Sequence, residues 1–475
     1  MFHFAANLKP YTFYRGRGNR RFDAYLLSTD YIKEHIDLVQ CVNAEKRILA
    51  ADNGNVDKIG DLIDKFSNEA EELDDDRKKE EKKLENRYAR PGELSPGLQS
   101  RFRNLAETIA SASEKITDDS YVRSVLYTQL SMSPTYIIGM EDFTIACMTG
   151  LNIEPEYSCL PSSFYKSCID RAINFWGDIR NGSYGNCSAE IFAGLHAIDF
   201  DTACIAGKRA AHAGIESIAT GLAGVLRDKN YVDFRVKDGK VIGLPGPVPR
   251  PYMRTLEIAT GLVKGYRDET GRNPNMHFLG AGTPIILPLL GLLGTAQTYF
   301  CTDSTAPIYD GWIAPTTSLY VDEPAPLKLK TYRIAQNWLE GGRGWDCNCP
   351  YCRSFAAVHP PDVASAKNWW VAEGRPTLDK YALYSDQPLT KWLPILSNFS
   401  DPELQQEAAL TRVGHNHWLI KKIESTIRNK QTDRSANRDW VASVIAAYRN
   451  SHAAKAWKLA ADEAWRIADS YVSKL

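Results

Sequence analysis

The sequence predicts an α/β fold: a (β/α)8, TIM-like barrel with a helical insertion in its N-terminal half and a C-terminal metal-binding subdomain. Three observations carry this. From residue 135 onward short apolar runs alternate with amphipathic stretches, the pattern of a parallel sheet with helical crossovers. Residues 31–130 are instead helical in character and highly charged. Far downstream, Cys347, Cys349 and Cys352 stand in the run Trp345-Asp346-Cys347-Asn348-Cys349-Pro350-Tyr351-Cys352. Thiols this closely spaced can converge on one tetrahedral ion.

In chain order, residues 1–30 start the barrel, with Phe22-Asp23-Ala24-Tyr25-Leu26-Leu27 as a strand. Within the 31–130 insertion, the run from Glu71 to Glu85 has too few apolar positions for a core helix. It fits an exposed helical arm held by i,i+4 charge pairs, and Pro91-Gly92 and Leu94-Ser95-Pro96-Gly97 break it. The barrel with its catalytic strands is expected over 131–340. Its strands are Tyr136-Ile137-Ile138-Gly139-Met140, Ile191-Phe192-Ala193-Gly194-Leu195, Ser217-Ile218-Ala219, Met276-His277-Phe278-Leu279-Gly280 and Thr298-Tyr299-Phe300-Cys301. Helices fall at 162–180, 203–214, 251–268 and 284–294, and an inserted hairpin runs from Tyr231 to Ile242 around Asp238-Gly239. The metal-binding subdomain spans 341–430, with an irregular insertion at 360–400. Helices follow at about 403–430 and 437–473, the second lying in a C-terminal segment, 431–475, with an apolar side fit for packing.

The 475 residues suffice for a large core, and a 44% hydrophobic composition is ordinary for a globular chain. A net charge of −1 excludes a uniformly basic surface but not a local phosphate-binding patch. No signal peptide and no apolar run of membrane-spanning length is visible, and the seven other cysteines show no pairing rhythm, so the expected compartment is the cytoplasm. Zinc is the usual occupant of a sulfur-rich site; an iron–sulfur fragment and a redox motif are the alternatives. A fourth ligand is required. His415, in Gly414-His415-Asn416-His417-Trp418, is the candidate, with His359 and His417 as competitors.

A barrel keeps its chemistry at the C-terminal ends of its strands. That gives priority to Asp303, to Glu141 and Asp142, to Gly280 and Gly282, and to Gly221, Leu222, Ala223 and Gly224. Asp310 is a nearby rival to Asp303. Lys421, Lys422, Arg428 and Lys430 make one stretch locally basic and are candidate phosphate contacts; a solvated helix face is the competing reading.

Several of these blocks resemble the tRNA-guanine transglycosylases and their relatives that insert 7-deazaguanine bases into DNA. His277-Phe278-Leu279-Gly280-Ala281-Gly282-Thr283-Pro284 is similar to the family's H-Y-L-M-G-V-G-T-P block, and Ile218 to Gly224 to its A-I-G-G-L-A-V-G block. Thr302-Asp303-Ser304-Thr305-Ala306-Pro307 resembles the nucleophile strand, and Cys159-Leu160-Pro161-Ser162 the C-x-P-Y segment. The cysteine knot with His415-Asn416 resembles the zinc site. The blocks stand in the family's order over about 155–425.

The resemblance implies a structural Zn2+ on Cys347, Cys349, Cys352 and His415, and a glycosyltransferase that exchanges guanine in a nucleic acid for a base such as preQ0. Asp303 would be the nucleophile. Glu141 or Asp142 would stand in for the second catalytic aspartate, because no D-S-G-G-F-Q block is visible. Gly221, Leu222, Ala223, Gly280, Gly282, His196 and Tyr157 would line the substrate pocket, Tyr157 falling where the family's base-reading aspartate is expected and Glu156 beside it. The divergence and the long insertion lean toward the DNA-modifying branch found in phages and bacterial genomic islands rather than a tRNA enzyme. The partners implied are DNA or tRNA and a 7-deazaguanine, without a membrane, and a homodimer is a candidate assembly. A non-catalytic nucleic-acid-binding paralogue on the same barrel is the alternative class.

Overall fold

The computed structural model describes residues 1–9, 22–83, 94–153, 160–222, 225, 231–237, 240–316, 318–323, 325–341, 347–451 and 455–472. Eight parallel strands close into a barrel: β1 (Phe2–Asn7), β2 (Ala24–Ser28), β3 (Ile48–Asp52), β4 (Tyr136–Ile138), β5 (Glu190–Gly194), β6 (Ser217–Gly221) and, after a hairpin of β7 (Tyr231–Lys237) and β8 (Lys240–Pro249), β9 (Asn275–Leu279) and β10 (Phe300–Asp303). β10 pairs with β1 in the register Phe2↔Phe300 to Ala5↔Asp303, which seals the ring. The barrel fold read from the β/α alternation is therefore present.

The inside of the barrel is filled by complementary sizes. Ala5, Ala24 and Ala50 from the first three strands leave room for Tyr136 and Phe192 from β4 and β5. The Tyr136 and Phe192 rings meet at 4.4 Å between centroids. Strand side chains alternate between faces, so the parity that puts Ala5, Ala24, Ala50, Ala219 and Cys301 inside also puts Asn7, Ser28, Asp52, Gly221 and Asp303 inward at the upper ends. The opposite parity, with Phe4, Tyr25, Leu49, Phe278 and Phe300, packs under the surrounding helices.

Two boundaries differ from the sequence reading. Residues 31–130 are not one helical insertion, because β3 lies inside them as the third barrel strand. Its five residues are masked in the sequence by the charged helices on either side. The insertion proper follows β3 as helices Val56–Lys83, Pro96–Ile116 and Asp119–Ser131. It is half a packed element and half a charged arm. Leu62, Phe66 and Leu73 are buried with Leu98, Phe102 and Leu105, while Lys78 pairs with Asp74 at 2.6 Å and Arg101 with Asp76 at 2.7 Å. The C-terminal segment is two helices, Arg434–Asn450 and Lys455–Val472, rather than one. The 360–400 stretch also holds short helices, at Val363–Ala372 and Pro388–Trp392.

After β10 the chain forms the short helix Ala306–Trp312 and a hairpin of β11 (Ser318–Val321) and β12 (Leu327–Lys330). The long helix Pro402–Lys430 then runs past all of these. Its Arg412, fully buried, donates through Nε to the Gly311 carbonyl at 2.8 Å, and Asn416 Nδ2 donates to the Pro307 carbonyl at 2.9 Å. Its C-terminal end reaches the bottom of the barrel, where Arg428 donates to the Phe2 carbonyl at 2.6 Å. Among the described residues no helix is long and apolar enough to cross a membrane.

Candidate active site and metal centre

A cavity of about 840 Å³ opens at the C-terminal ends of the strands. Asn7, Ser28, Asp52, Gly221, Leu279 and Asp303 line it, as strand parity requires, together with Glu141, His196 and Gly280. Asp303 is 6% exposed and held from two sides. His277 Nε2 donates to its Oδ1 at 3.1 Å, and the Gly280 amide donates to the same oxygen at 3.3 Å. Gly280 has φ +83, a conformation that turns its N–H back toward the strand end and that other residues adopt with strain. Below, the Tyr136 hydroxyl lies 2.8 Å from His277 Nδ1 and 3.3 Å from the Tyr299 hydroxyl. With Nε2 carrying the proton for Asp303, Nδ1 must accept from Tyr136. A buried relay of Tyr136, His277 and Asp303 thus fixes one carboxylate oxygen and leaves the other for the cavity.

Asp52 is the residue that sequence reasoning missed. Burial pushes its carboxyl up, the negative charges of Asp303 and Glu141 push it further, and the Asn53 and Gly54 amides only partly offset this; the result is a pKa of about 7 against an ordinary 3.8. A carboxyl poised there can give or take a proton near neutral pH. The signal was present in Ile48-Leu49-Ala50-Ala51-Asp52-Asn53-Gly54, an apolar run that stops at an Asp-Asn-Gly turn.

Glu141 and His196 form a second polar group. His196 Nε2 bonds Glu141 Oε2, and both side chains are nearly buried. Burial lowers the His196 pKa, but the Glu141 charge and hydrogen bond outweigh it, so the imidazole is held above its ordinary value. Gly221 makes room for this pair: a Cβ there would stand 2.9 Å from His196 Cε1.

Other expectations need correction. Asp142 does not line the cavity. It caps the helix Phe143–Gly150 through Thr144 N at 2.9 Å and accepts from Arg171 Nε at 2.6 Å. Asp310 is buried against Lys328 Nζ at 2.7 Å, and no more available. Gly282 packs behind the site, where a Cβ would meet Ser304 Cβ at 2.5 Å and the Phe4 ring at 2.7 Å. Leu222 is a fully buried core residue whose amide continues the strand pairing to the Leu279 carbonyl. Tyr157, Glu156, Ala223 and Gly224 lie outside the described residues.

The basic stretch is also corrected. Lys421 Nζ sits 2.9 Å from Asp23 and 3.0 Å from the buried Glu424, and Arg428 is 2.7 Å from Asp23 while also pairing with Glu424. Lys422 pairs with Asp322. Lys421 and Arg428 stand at the N-terminal ends of β1 and β2, the end of the barrel opposite the cavity. Their charge neutralises Asp23 and Glu424 and so is already engaged. Lys430 follows Arg428 by two residues, about half a turn further along the helix.

The sulfur knot closes as expected. The Sγ atoms of Cys347, Cys349 and Cys352 and a ring nitrogen of His415 all lie within 4.8 Å of one another, a set that can hold a metal ion. His415 Nδ1 is 3.2 Å from Cys347 Sγ and 3.5 Å from Cys352 Sγ. Its Nε2 donates to the Tyr320 carbonyl at 2.8 Å, which keeps Nδ1 unprotonated and turned toward the thiols. The competitors are elsewhere: His359 faces Glu407, and His417 is a core histidine that burial pushes down to about 4. A tetrahedral ion held by all four of these donors would have no open position.

No family model matches the chain, and no curated protein matches it in sequence.

Proposed function

We propose that the protein is a transglycosylase that exchanges guanine in a nucleic acid, DNA in preference to tRNA, for a 7-deazaguanine such as preQ0. One observation carries this reading: two carboxylates face one barrel-mouth cavity, Asp303 fixed by His277 and Gly280, and Asp52 raised to about 7. Such a division of labour suits double displacement at an anomeric carbon. Asp303 attacks C1′, and the bond from C1′ to guanine breaks as protonated Asp52 delivers its proton to the departing base. Asp52, now ionised, takes a proton from the incoming base. That base attacks C1′ and releases the Asp303 carboxylate. Glu141, held by His196 in the cavity lining, would accept from the edge of a purine-like base. Asp52 in the cavity lining supports the catalytic reading over the alternative of a non-catalytic paralogue.

Zinc is the proposed occupant of the four-donor centre, with a structural role. The donors fit it in number, type and spacing.

The test is incubation with labelled preQ0 and guanine-containing DNA or tRNA. The wild type should incorporate label, and should form a covalent adduct in the absence of the incoming base. Asp303→Asn should keep its fold and lose both. Exchange by Asp303→Asn at the wild-type rate would remove Asp303 from the role; no incorporation and no adduct from the wild type would remove the transglycosylase reading.

A further inference from the structure

The rim of the cavity is aromatic. Tyr309 is 61% exposed, Trp312 46% and Tyr31 45%, and all three line the mouth above Asp303. Only two other tyrosines or tryptophans, Tyr127 and Tyr381, are counted with them among the exposed large hydrophobic residues described. The clustering is therefore specific to this opening. Tyr309 and Trp312 are three positions apart on the helix Ala306–Trp312 and so present one face. That helix begins three residues after Asp303 and is pinned from behind by Arg412 and Asn416. The rings are thus exposed on a fixed support. On the same side of the opening, beyond the ends of the neighbouring strands β1 and β2, Lys9 Nζ lies 4.2 Å from the centroid of the Tyr31 ring, a cation above a π face.

We propose that Tyr309, Trp312 and Tyr31 are a stacking platform for the unpaired bases on either side of the target nucleotide, so that the substrate engaged is a single strand or a locally melted segment. The proposal rests on the transglycosylase reading and deepens it. A nucleotide that reaches Asp303 from within a polymer must pass this rim, and its neighbours must stop there. The cavity lining carries Asp30, Asp52, Asp57, Glu141 and Asp303 against Lys9, so phosphate attraction is weak at the mouth itself. Stacking on half-exposed rings supplies affinity there without depending on positive charge, and it tolerates any sequence because every base has a π face. A paired duplex cannot use these rings, because its bases are already stacked on each other.

The experiment is fluorescence anisotropy with a short fluorescein-labelled, thymine-rich oligodeoxynucleotide carrying one guanine, its RNA counterpart, and the blunt duplex of each. The wild type should bind a single strand more tightly than the matching duplex, and the tighter of DNA and RNA identifies the strand. Trp312→Ala and Tyr309→Ala should each weaken single-strand binding by about 5- to 100-fold, the range expected for one lost base stack. The dependence on salt should not change, and Trp312→Phe should restore most of the affinity. Metal content and circular dichroism of each variant establish that it is folded. Equal binding of duplex and single strand by the wild type, or wild-type affinity in both folded alanine variants, would overturn the platform. Asp303→Asn separates the two proposals: it should bind like the wild type. An intact platform without base exchange in the wild type refutes the chemistry alone.

Discussion

Replacing Asp52 with asparagine should abolish base exchange and stabilise the protein at the same time. Asp52 is held at about 7 rather than 3.8 by burial and by the charges of Asp303 and Glu141. A carboxyl with a raised folded-state value binds its proton more tightly folded than unfolded. Its favourable contribution is complete below 3.8 and is lost as pH rises through about 7. At about 1.4 kcal/mol per tenfold change in proton affinity, the displacement corresponds to a penalty of about 4 kcal/mol for the ionised site above neutrality. Asp52 opens partly onto the cavity, which lowers the expected value to about 2–4 kcal/mol. Urea unfolding of wild type and Asp52→Asn across pH 4 to about 8.5 measures it. The two curves should coincide near the acid end, diverge progressively from about pH 4 and run parallel above about pH 7, with the variant more stable. A variant equally or less stable at pH 8, or one whose advantage does not vary with pH, would refute the electrostatic account of this site.

Four further outcomes follow from the geometry. Purified protein should carry one zinc per chain, and Cys349→Ser should lose it together with several kcal/mol of stability; equal metal content in both proteins would reject the ligand set. Tyr136→Phe removes the hydroxyl that sets the His277 tautomer, so exchange should fall by about 5- to 10-fold, the worth of one hydrogen bond, and its pH profile should shift; an unchanged profile would reject the relay. Gly221→Ala should cost activity but not the fold, because its Cβ displaces His196 from Glu141; steady-state kinetics with an unfolding curve test this. Arg428→Met should cost about 1.5–3 kcal/mol by taking one of the two cationic partners from the buried Glu424, Lys421 remaining, with no effect on the salt dependence of oligonucleotide binding; anisotropy and urea titrations report the two parts separately.

The parts of the molecule that were legible in the sequence are those with local signatures. The β/α alternation from residue 135, Asp303 at a strand end, and the clustered thiols all announce themselves within a few residues. What was not legible depends on distant partners. Strand β3 is five residues long and flanked by charged helices, so its apolar run and the Asp52 at its end were read through as helix. Asp142 and Glu141 are sequence neighbours with opposite fates, one capping a helix against Arg171 and one meeting His196 beyond the neighbouring strand β5. Lys421 and Arg428 look like a phosphate patch until Asp23, about four hundred positions earlier, is folded against them. A charge count along the chain cannot reveal that pairing.

The long helix Pro402–Lys430 gives chelation experiments on this protein an unusual meaning. One stretch of it supplies His415 to the sulfur knot, and the same stretch supplies Arg412 and Asn416 to the backbone of the helix that bears Tyr309 and Trp312. Helical residues rise only about 1.5 Å each, so these three attachments lie within about 6 Å along one rod. Extracting the metal frees His415 and slackens the rod where it braces the cavity rim. On the proposed function, activity should then disappear with the metal although no step of the proposed exchange passes through it. Inhibition by a chelator, ordinarily taken as a sign of metal-assisted chemistry, would on that reading be the signature of a lost brace, and recovery on adding back any ion that rebuilds the tetrahedron, redox-inert or not, is the behaviour that would distinguish the two.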